Sequence, residues 1–347
     1  MIDNPQVDMK NKIDDYNETI FAILSFSHLL RWDNSSKKFL PDSFLFIGRK
    51  MDTSGENRIN PNNTVTPDLI VQLNKKNGIV GEVKIGFSVN RDFWKSDFDQ
   101  IQKYDDKMKG WITSDEFIDT TDIVLLTHIT KKIPCIDYIK EKTLKNEIKF
   151  DRKFAVIAFS KDVRGSDVFL YLEKAYGDIS DLEMNEVLRK GQNMPLSRFI
   201  STYRVKFYDS EPPLPYLMSI IWQDILPQLA SEDDLMERKG RMIHLDVNIG
   251  KITGLLQEQF TYKINHDERQ QQIPKTAWVR TALDLFVQLG YGEKKGKSND
   301  DYIINWQNLN KSPLDIFIKE FISGKRLSKR KELPERTKKM RLDDFGF

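Results

Sequence analysis

The chain has 347 residues, 39% hydrophobic and 31% charged, with a formal net charge of only +2. That length supports two domains with full cores, and with no apolar run near membrane-spanning length the composition argues against a transmembrane protein. One cysteine, Cys135, excludes an internal disulfide, and four histidines without ligand spacing argue against a zinc site. The opening Met1-Ile2-Asp3-Asn4 lacks the basic and apolar regions of a signal peptide, so an intracellular, cytoplasmic setting is expected.

The first predicted element is a helix over Ile13–Trp32, with Ile20, Ile23, Leu24 and Leu30 at helical spacing on its apolar side. Glu18 lies on it, one turn after Asp14. The apolar run Phe44–Ile47 reads as a strand. Next come Thr-Pro-Asp-Leu-Ile-Val-Gln-Leu from Thr66, a turn-forming Asn-Lys-Lys-Asn-Gly, and Ile-Val-Gly-Glu-Val-Lys-Ile-Gly-Phe ending at Phe87. Two β-branched-rich runs around such a cluster predict a hairpin. Side chains alternate along a strand, so Glu82 and Lys84 share one face and Val83 points away. A five-residue loop, Asn74–Gly78, would pair Leu73 with Ile79 and set Asp68 opposite Lys84. Glu82 would then be the diagonal neighbour of Asp68, at roughly 7–8 Å between Cα atoms. A two-residue Asn77-Gly78 turn would instead set Asp68 opposite Phe87 and send Glu82 to the other face. The longer loop is expected, because it keeps both acids together.

Glu-x-Lys occurs four times in the chain and Pro-Asp twice, but only Pro67-Asp68 and Glu82-Val83-Lys84 lie on adjacent predicted strands. This conjunction resembles the Pro-Asp…Glu-x-Lys pattern of the PD-(D/E)XK nuclease superfamily. The helix predicted over Trp94–Lys109 carries Gln100 and Tyr104 one turn apart. Gln-x-x-x-Tyr in this position is similar to the RecB-like branch of the superfamily.

The resemblance implies a metal-dependent nuclease. In it Asp68 and Glu82 hold Mg²⁺, with Mn²⁺ as the alternative, the Val83 carbonyl is a backbone ligand, and Lys84 is the catalytic lysine. It also implies that Gln100 and Tyr104 flank the metal and touch substrate. Some members carry an extra glutamate on the helix before the sheet, and Glu18 is the candidate for it. The residue types suit the chemistry. Carboxylates suit a hard cation that keeps several waters, the cation lowers the pKa of bound water and neutralises phosphate oxygens, and a lysine stabilises developing charge.

Asp122–Thr127 reads as a buried strand, Ile136–Leu144 as a helix, Phe154–Phe159 as a second fully apolar strand, Val168–Tyr176 as a further strand and Leu182–Leu188 as a helix. Apolar runs without alternation predict strands covered on both faces, hence an α/β fold with a mixed central sheet flanked by helices, a restriction-endonuclease-like core. Cys135, beside Pro134 and without an adjacent histidine, is not a nucleophile.

The proline-rich Tyr208–Tyr216 reads as a linker. Beyond it lie three amphipathic segments, Tyr216–Leu229, Val247–Phe260 and Lys275–Leu289. A Gly/Lys-rich turn at Gly292–Lys297 and a β-like Tyr302–Trp306 complete a winged-helix outline. Val279, Leu283 and Phe286 should face the core of the third helix. Lys275, Thr276, Trp278, Arg280 and Gln288 are then left as DNA-facing candidates, with Lys294, Lys295 and Lys297 on the wing.

Lys325–Arg341 holds nine basic and two acidic residues, leaving the rest of the chain near −5. Lys325, Arg326, Lys329 and Arg330 in this run are candidate phosphate contacts. Leu342-Asp343-Asp344-Phe345 after it looks like a short sliding-clamp-docking peptide.

The expected organisation is a nuclease domain over 1–210, a winged-helix-like domain over 211–318 and a basic tail over 319–347. The expected activity is an Mg²⁺-dependent endonuclease acting on DNA, double-stranded by preference, as a homodimer or in a larger nucleoprotein complex. The alternatives are a catalytically silent nuclease-fold assembly protein and an RNA nuclease.

Overall fold

A computed structural model describes residues 5–33, 38–39, 44–53, 64–73, 77–85, 94–105, 108–111, 120–165, 167–195, 205–230, 242–260, 272–296, 300–309 and 311–323. The chain divides into two compact units. One comprises Asp15–Glu211 with Gln257–Ile273, and the other Met1–Asp14, Pro212–Leu256 and Pro274–Phe347.

The larger unit is α/β, built on a seven-stranded mixed sheet whose spatial order is its chain order. The strands are β1 (Phe44–Phe46), β2 (Leu69–Gln72), β3 (Asn77–Lys84), β4 (Thr120–His128), β5 (Phe154–Arg164), β6 (Asp167–Gly177) and β7 (Gln192–Pro195). Its centre, β3–β4–β5, is parallel and the remaining neighbours are antiparallel. Parallel neighbours need crossovers. These are supplied by α2 (Trp94–Gln102), which tightens into a 3₁₀ turn at Lys103–Asp105, and by α3 (Lys132–Leu144).

Because the sheet advances in one direction, two right-handed crossovers place their helices on the same face. One core agrees with this arrangement. Ile70, Val80, Ile123, Leu125, Phe154 and Val156 from the sheet meet Trp94, Phe98, Ile101 and Tyr104 from the first crossover and Cys135, Tyr138 and Ile139 from the second. The alternate residues Val71, Ile79, Val124, Leu126, Ala155 and Ile157 are as fully buried. Both faces of the sheet are therefore dry, which explains the unbroken apolar runs. The first helix, α1 (Pro5–Arg31), buries Tyr16, Ile20, Ile23 and Leu24 along one stripe. α4 (Leu182–Lys190) is capped by Asp181, which accepts from the Met184 amide at 2.9 Å.

The hairpin register departs from expectation by two residues. Leu69 pairs with Gly81 and Gln72 with Gly78, and the Leu73 amide donates to the Asn77 carbonyl at 2.9 Å. Asn77 and Gly78 thus belong to the ladder rather than to the loop, and continuing the register sets Asp68 opposite Glu82, not Lys84. A slip of two preserves the faces. Gly81 helps to set this pairing, since a Cβ there would lie 2.8 Å from the Leu69 side chain.

In the smaller unit α5 (Leu214–Ile220) starts on the prolines that read as a linker, with Pro213 at its N-cap and Pro215 in its first turn. It passes through a π turn at Ile221–Ile225 into a 3₁₀ turn at Leu226–Leu229. Pro227 has no N–H to give the preceding turn, and the Trp222 carbonyl accepts instead from Trp306 Nε1 at 3.0 Å. Then follow β8 (Ile243–Asn248), α6 (Ile249–Phe260), α7 (Thr276–Leu289), β9 (Gly292–Lys294), β10 (Asp301–Trp306) and α8 (Pro313–Ser323). The three strands form an antiparallel sheet in the order β8-β10-β9. The expected succession of three helices and a hairpin is corrected by β8, whose residues alternate between buried and exposed. Trp222, Phe286, Tyr291 and Phe317 pack edge to face or tilted at 5.3–6.3 Å between ring centroids. Among the described residues no helix is long and apolar enough to cross a membrane.

Candidate active site

Asp68, Glu82 and Lys84 meet at the carboxyl end of β3, on the face covered by α2. Asp68 precedes β2, and its Oδ2 accepts from the Val83 amide at 2.8 Å. A strand residue's N–H and C=O leave the same edge, so the Val83 carbonyl is on the Asp68 side. Glu82 is only 3% exposed. Its Oε2 accepts from the Tyr104 hydroxyl at 2.6 Å, and its Oε1 lies 3.1 Å from the Lys84 ammonium. Gln100 Nε2 donates to the Tyr104 hydroxyl at 3.1 Å, completing a Gln100–Tyr104–Glu82 chain. Thr127 of β4, fully buried, donates to the Lys84 carbonyl at 3.0 Å and ties the end of β3 to its parallel neighbour.

The five residues expected to act together are therefore brought together, with one change of role. Tyr104 is 0% exposed. It cannot touch a substrate in this arrangement, and it holds Glu82 instead. The 3₁₀ tightening at Lys103–Asp105 lies where the sequence predicted continuous α-helix to Lys109.

Two acids that the sequence reading passed over also belong here. Asp97 of α2 contacts the Lys84 ammonium at 3.1 Å. Asp209, from the segment before α5, adds its negative charge to the field at Asp68. The signal for Asp97 was in the sequence: Asp97, Gln100 and Tyr104 stand at i, i+3 and i+7, on one helical face. No local pattern announces Asp209. Glu18 is half-buried in α1, among residues that reach Tyr208: the Tyr16 and Tyr208 rings lie 4.8 Å apart.

The electrostatics are those of concentrated negative charge. Burial, and then the Glu82 charge, push the Asp68 carboxyl well above the usual carboxylate range, against the pull of the Val83 amide and Lys84. Burial also raises Glu82, opposed by Lys84 and the Tyr104 hydroxyl. Burial would discharge Lys84, but the carboxylates of Glu82 and Asp97 outweigh it and hold the ammonium above its ordinary value. Burial and the adjacent Glu82 charge raise the Tyr104 phenol, which stays a proton donor.

Among the described residues no group of three or more His, Cys, Asp or Glu side chains is gathered closely enough to hold a metal by itself. Mg²⁺ asks for less, since it commonly binds through one or two carboxylates and keeps its waters. A buried and a half-buried carboxylate, both with raised proton affinity, beside a backbone carbonyl fit such a hard cation by donor type. Another buried acid is held by structural partners. Asp122 accepts from the Ser180 amide and hydroxyl, both at 2.7 Å. Cys135 is buried, and its thiol is pushed up to about 12, so it is no nucleophile at neutral pH.

The expected nucleic-acid face of the smaller unit is altered. Val279, Leu283 and Phe286 are fully buried as expected, but Trp278 is only 7% exposed and is corrected from surface to core. The helical stripe takes it in because Trp278 lies four residues before Ala282, itself fully buried. Lys275 and Thr276 are exposed, and the Lys275 ammonium lies over the Trp278 ring at 5.1 Å. Arg280 pairs with Asp300 at 2.9 Å, Lys294 with Asp284 at 2.8 Å and Lys295 with Asp246 at 2.9 Å. Lys297, the basic residues Lys325, Arg326, Lys329 and Arg330, and the Leu342–Phe345 peptide lie outside the described residues. Compared with protein-family models, curated proteins and solved structures, the chain matches none.

Proposed function

We propose that the protein is an Mg²⁺-dependent phosphodiester hydrolase acting on DNA, an endonuclease of the PD-(D/E)XK kind. One observation carries the reading: Asp68 and Glu82 are adjacent across a hairpin, with Lys84 and the Gln100–Tyr104 pair converging on Glu82. Pattern and placement coincide, and a surface hairpin of ordinary charges would have no cause to bury Glu82 to 3%. The site also opens at the carboxyl end of parallel strands, where open α/β sheets bind ligands.

In this reading Asp68, Glu82 and the Val83 carbonyl hold the cation, which would supply a nucleophilic water and neutralise phosphate charge. Lys84 stays an ammonium and donates to the oxygen on which charge develops, rather than removing a proton. Tyr104 and Gln100 keep Glu82 oriented. Helix, strand, two helices and a hairpin, with the first strand beside the second arm of the hairpin, is the order of a winged helix. The exposed Lys275 and Thr276 and the hairpin lysines are its candidate duplex contacts. The basic run after α8 serves as a phosphate-binding arm.

The test is incubation of purified protein with supercoiled plasmid, linear duplex, single strands and structured RNA, with Mg²⁺, Mn²⁺ or Ca²⁺. Cleavage of DNA that needs Mg²⁺ or Mn²⁺ and is lost in Asp68→Ala supports the proposal. Full cleavage by Asp68→Ala overturns the site, and cleavage confined to RNA reassigns the substrate.

A further inference from the structure

We infer that Asp97 is a positioning residue that holds Lys84 in the catalytic site by sharing its ammonium with Glu82. The inference rests on the proposed nuclease activity and adds a residue that the Pro-Asp…Glu-x-Lys pattern does not contain.

The Lys84 ammonium lies 3.1 Å from Glu82 Oε1 and 3.1 Å from Asp97 Oδ1. The two carboxylates differ in every other respect. Glu82 is on the sheet with a side chain 4% exposed, and its second oxygen is taken by Tyr104. Asp97 is on the covering helix with a side chain 30% exposed. Glu82 is also the carboxylate that a cation would claim. A lysine held by Glu82 alone would lose its anchor as Glu82 turned its charge to a divalent cation, and like charge would drive it away. A second anchor on α2 removes that dependence. The ammonium would stay beside the reacting phosphate because Asp97 still holds it from α2.

α2 can supply the anchor because Asp97, Gln100 and Tyr104 occupy one face. The same nine-residue helix and its 3₁₀ extension thus orient Lys84 through Asp97 and Glu82 through Tyr104. The competing role for Asp97 is purely structural, since an acid in the first turn of a helix favours the helix dipole. That role predicts a small loss of thermal stability and no change in turnover.

The experiment measures Mg²⁺-dependent cleavage of supercoiled plasmid and linear duplex by the full-length protein, with Mg²⁺ affinity and melting temperature measured in parallel. Wild type is compared with Asp97→Asn, Asp97→Glu and, as a control on the exposed side of the same helix, Lys95→Ala. At saturating DNA and Mg²⁺, Asp97→Asn should lower the maximal rate about 10²-fold. KM and the calorimetric Mg²⁺ affinity should stay within about threefold, because neither reports the aim of a lysine. Asp97→Glu, which restores the carboxylate at longer reach, should recover most of the loss. In a Lys84→Ala background, Asp97→Asn should add no further loss. A rate within threefold of wild type for Asp97→Asn, or a deficit that saturating Mg²⁺ repairs, overturns the inference. So does an equal loss in Lys95→Ala. If the wild-type protein cleaves nothing under any condition, the nuclease reading fails and this inference fails with it. Robust wild-type cleavage with an unimpaired Asp97→Asn variant sinks the Asp97 role alone.

Discussion

The two charged regions of this protein follow opposite plans. At the carboxyl end of β3, Glu82 and Asp97 share the Lys84 ammonium, Glu82 and Asp209 add negative charge at Asp68, and Glu82 is almost wholly buried. On α7 and the β9–β10 hairpin, Arg280, Lys294 and Lys295 each have an acid of their own, and their side chains are 40–51% exposed. Balanced, exposed pairs contribute little energy and exchange readily with solvent or with a phosphate. Unbalanced, buried charge costs stability and persists where something else uses it. Charge count alone does not separate the two regions, because both are rich in ionisable groups. Burial and the ratio of signs do.

The sharpest way to break this contrast is at the acids. Asp68→Ala or Glu82→Ala should lower Mg²⁺-dependent plasmid cleavage by about 10³-fold or more while leaving circular dichroism unchanged. The same acids should penalise the metal-free fold. Their proton affinities are raised in the folded state, so their contribution to stability is fully present below the unfolded carboxylate range near pH 4 and is lost as pH rises through the folded values. In chelator, Asp68→Asn should therefore melt above wild type at neutral pH, and the gap should close on acidification. Thermal melts over that range decide it. An Asp68→Asn curve that stays parallel to wild type would show that the buried charge costs nothing.

Restoring the balance should show the effect in reverse. Mg²⁺ at a hundredfold its dissociation constant should stabilise the wild type by about 2.7 kcal/mol and leave Glu82→Ala unmoved, as read by melting with and without the ion.

Much of this site was legible in advance, and for physical reasons. The acids and the lysine announce themselves because hydrogen-bonded strands convert a spacing into a shared face. The register was missed by two residues because Asn77-Gly78, a common turn pair, lies in the ladder here, where Gly78 faces Gln72. β8 was missed because it runs directly into α6: Val247 and Asn248 were read as part of the helical segment, and Ile243–Asp246 were assigned to no element. Its Ile-His-Leu-Asp-Val-Asn alternation was the available sign. Asp209 was beyond reach, since its position beside the hairpin depends on how the chain returns after β7, which no local pattern encodes. Trp278 was assigned to the surface by elimination. Its burial follows from the width of the apolar stripe on α7.

A finer probe of the buried side is Tyr104→Phe. It removes the hydroxyl donor from Glu82 and leaves the Gln100 amide facing a ring edge. Loss of a hydrogen bond to a buried charge should cost about 1–3 kcal/mol of stability. Because the Tyr104 hydroxyl lowers the proton affinity of Glu82, its loss should raise that affinity and move the acidic limb of the pH–rate profile upward. On the exposed side the expected effects are smallest. Lys294→Ala should change stability by no more than about 1 kcal/mol. If that surface meets duplex DNA, each lost phosphate contact should lower the slope of log affinity against log salt by about 0.9. A large destabilisation by Lys294→Ala would erase the distinction drawn between the two regions.

The sheet's order has a consequence for how this protein comes into being. A sheet in which spatial order repeats chain order never requires a later strand to slip between two earlier ones. During vectorial synthesis each strand finds an open edge left by its predecessor. Asp68, Glu82, Lys84, Asp97, Gln100 and Tyr104 lie within one continuous stretch, so this cluster is a local assembly in sequence. Those six side chains are all synthesised before β4 and β5, whereas Asp209 follows β7. The later strands complete the core on which that stretch packs, and Asp209 joins last.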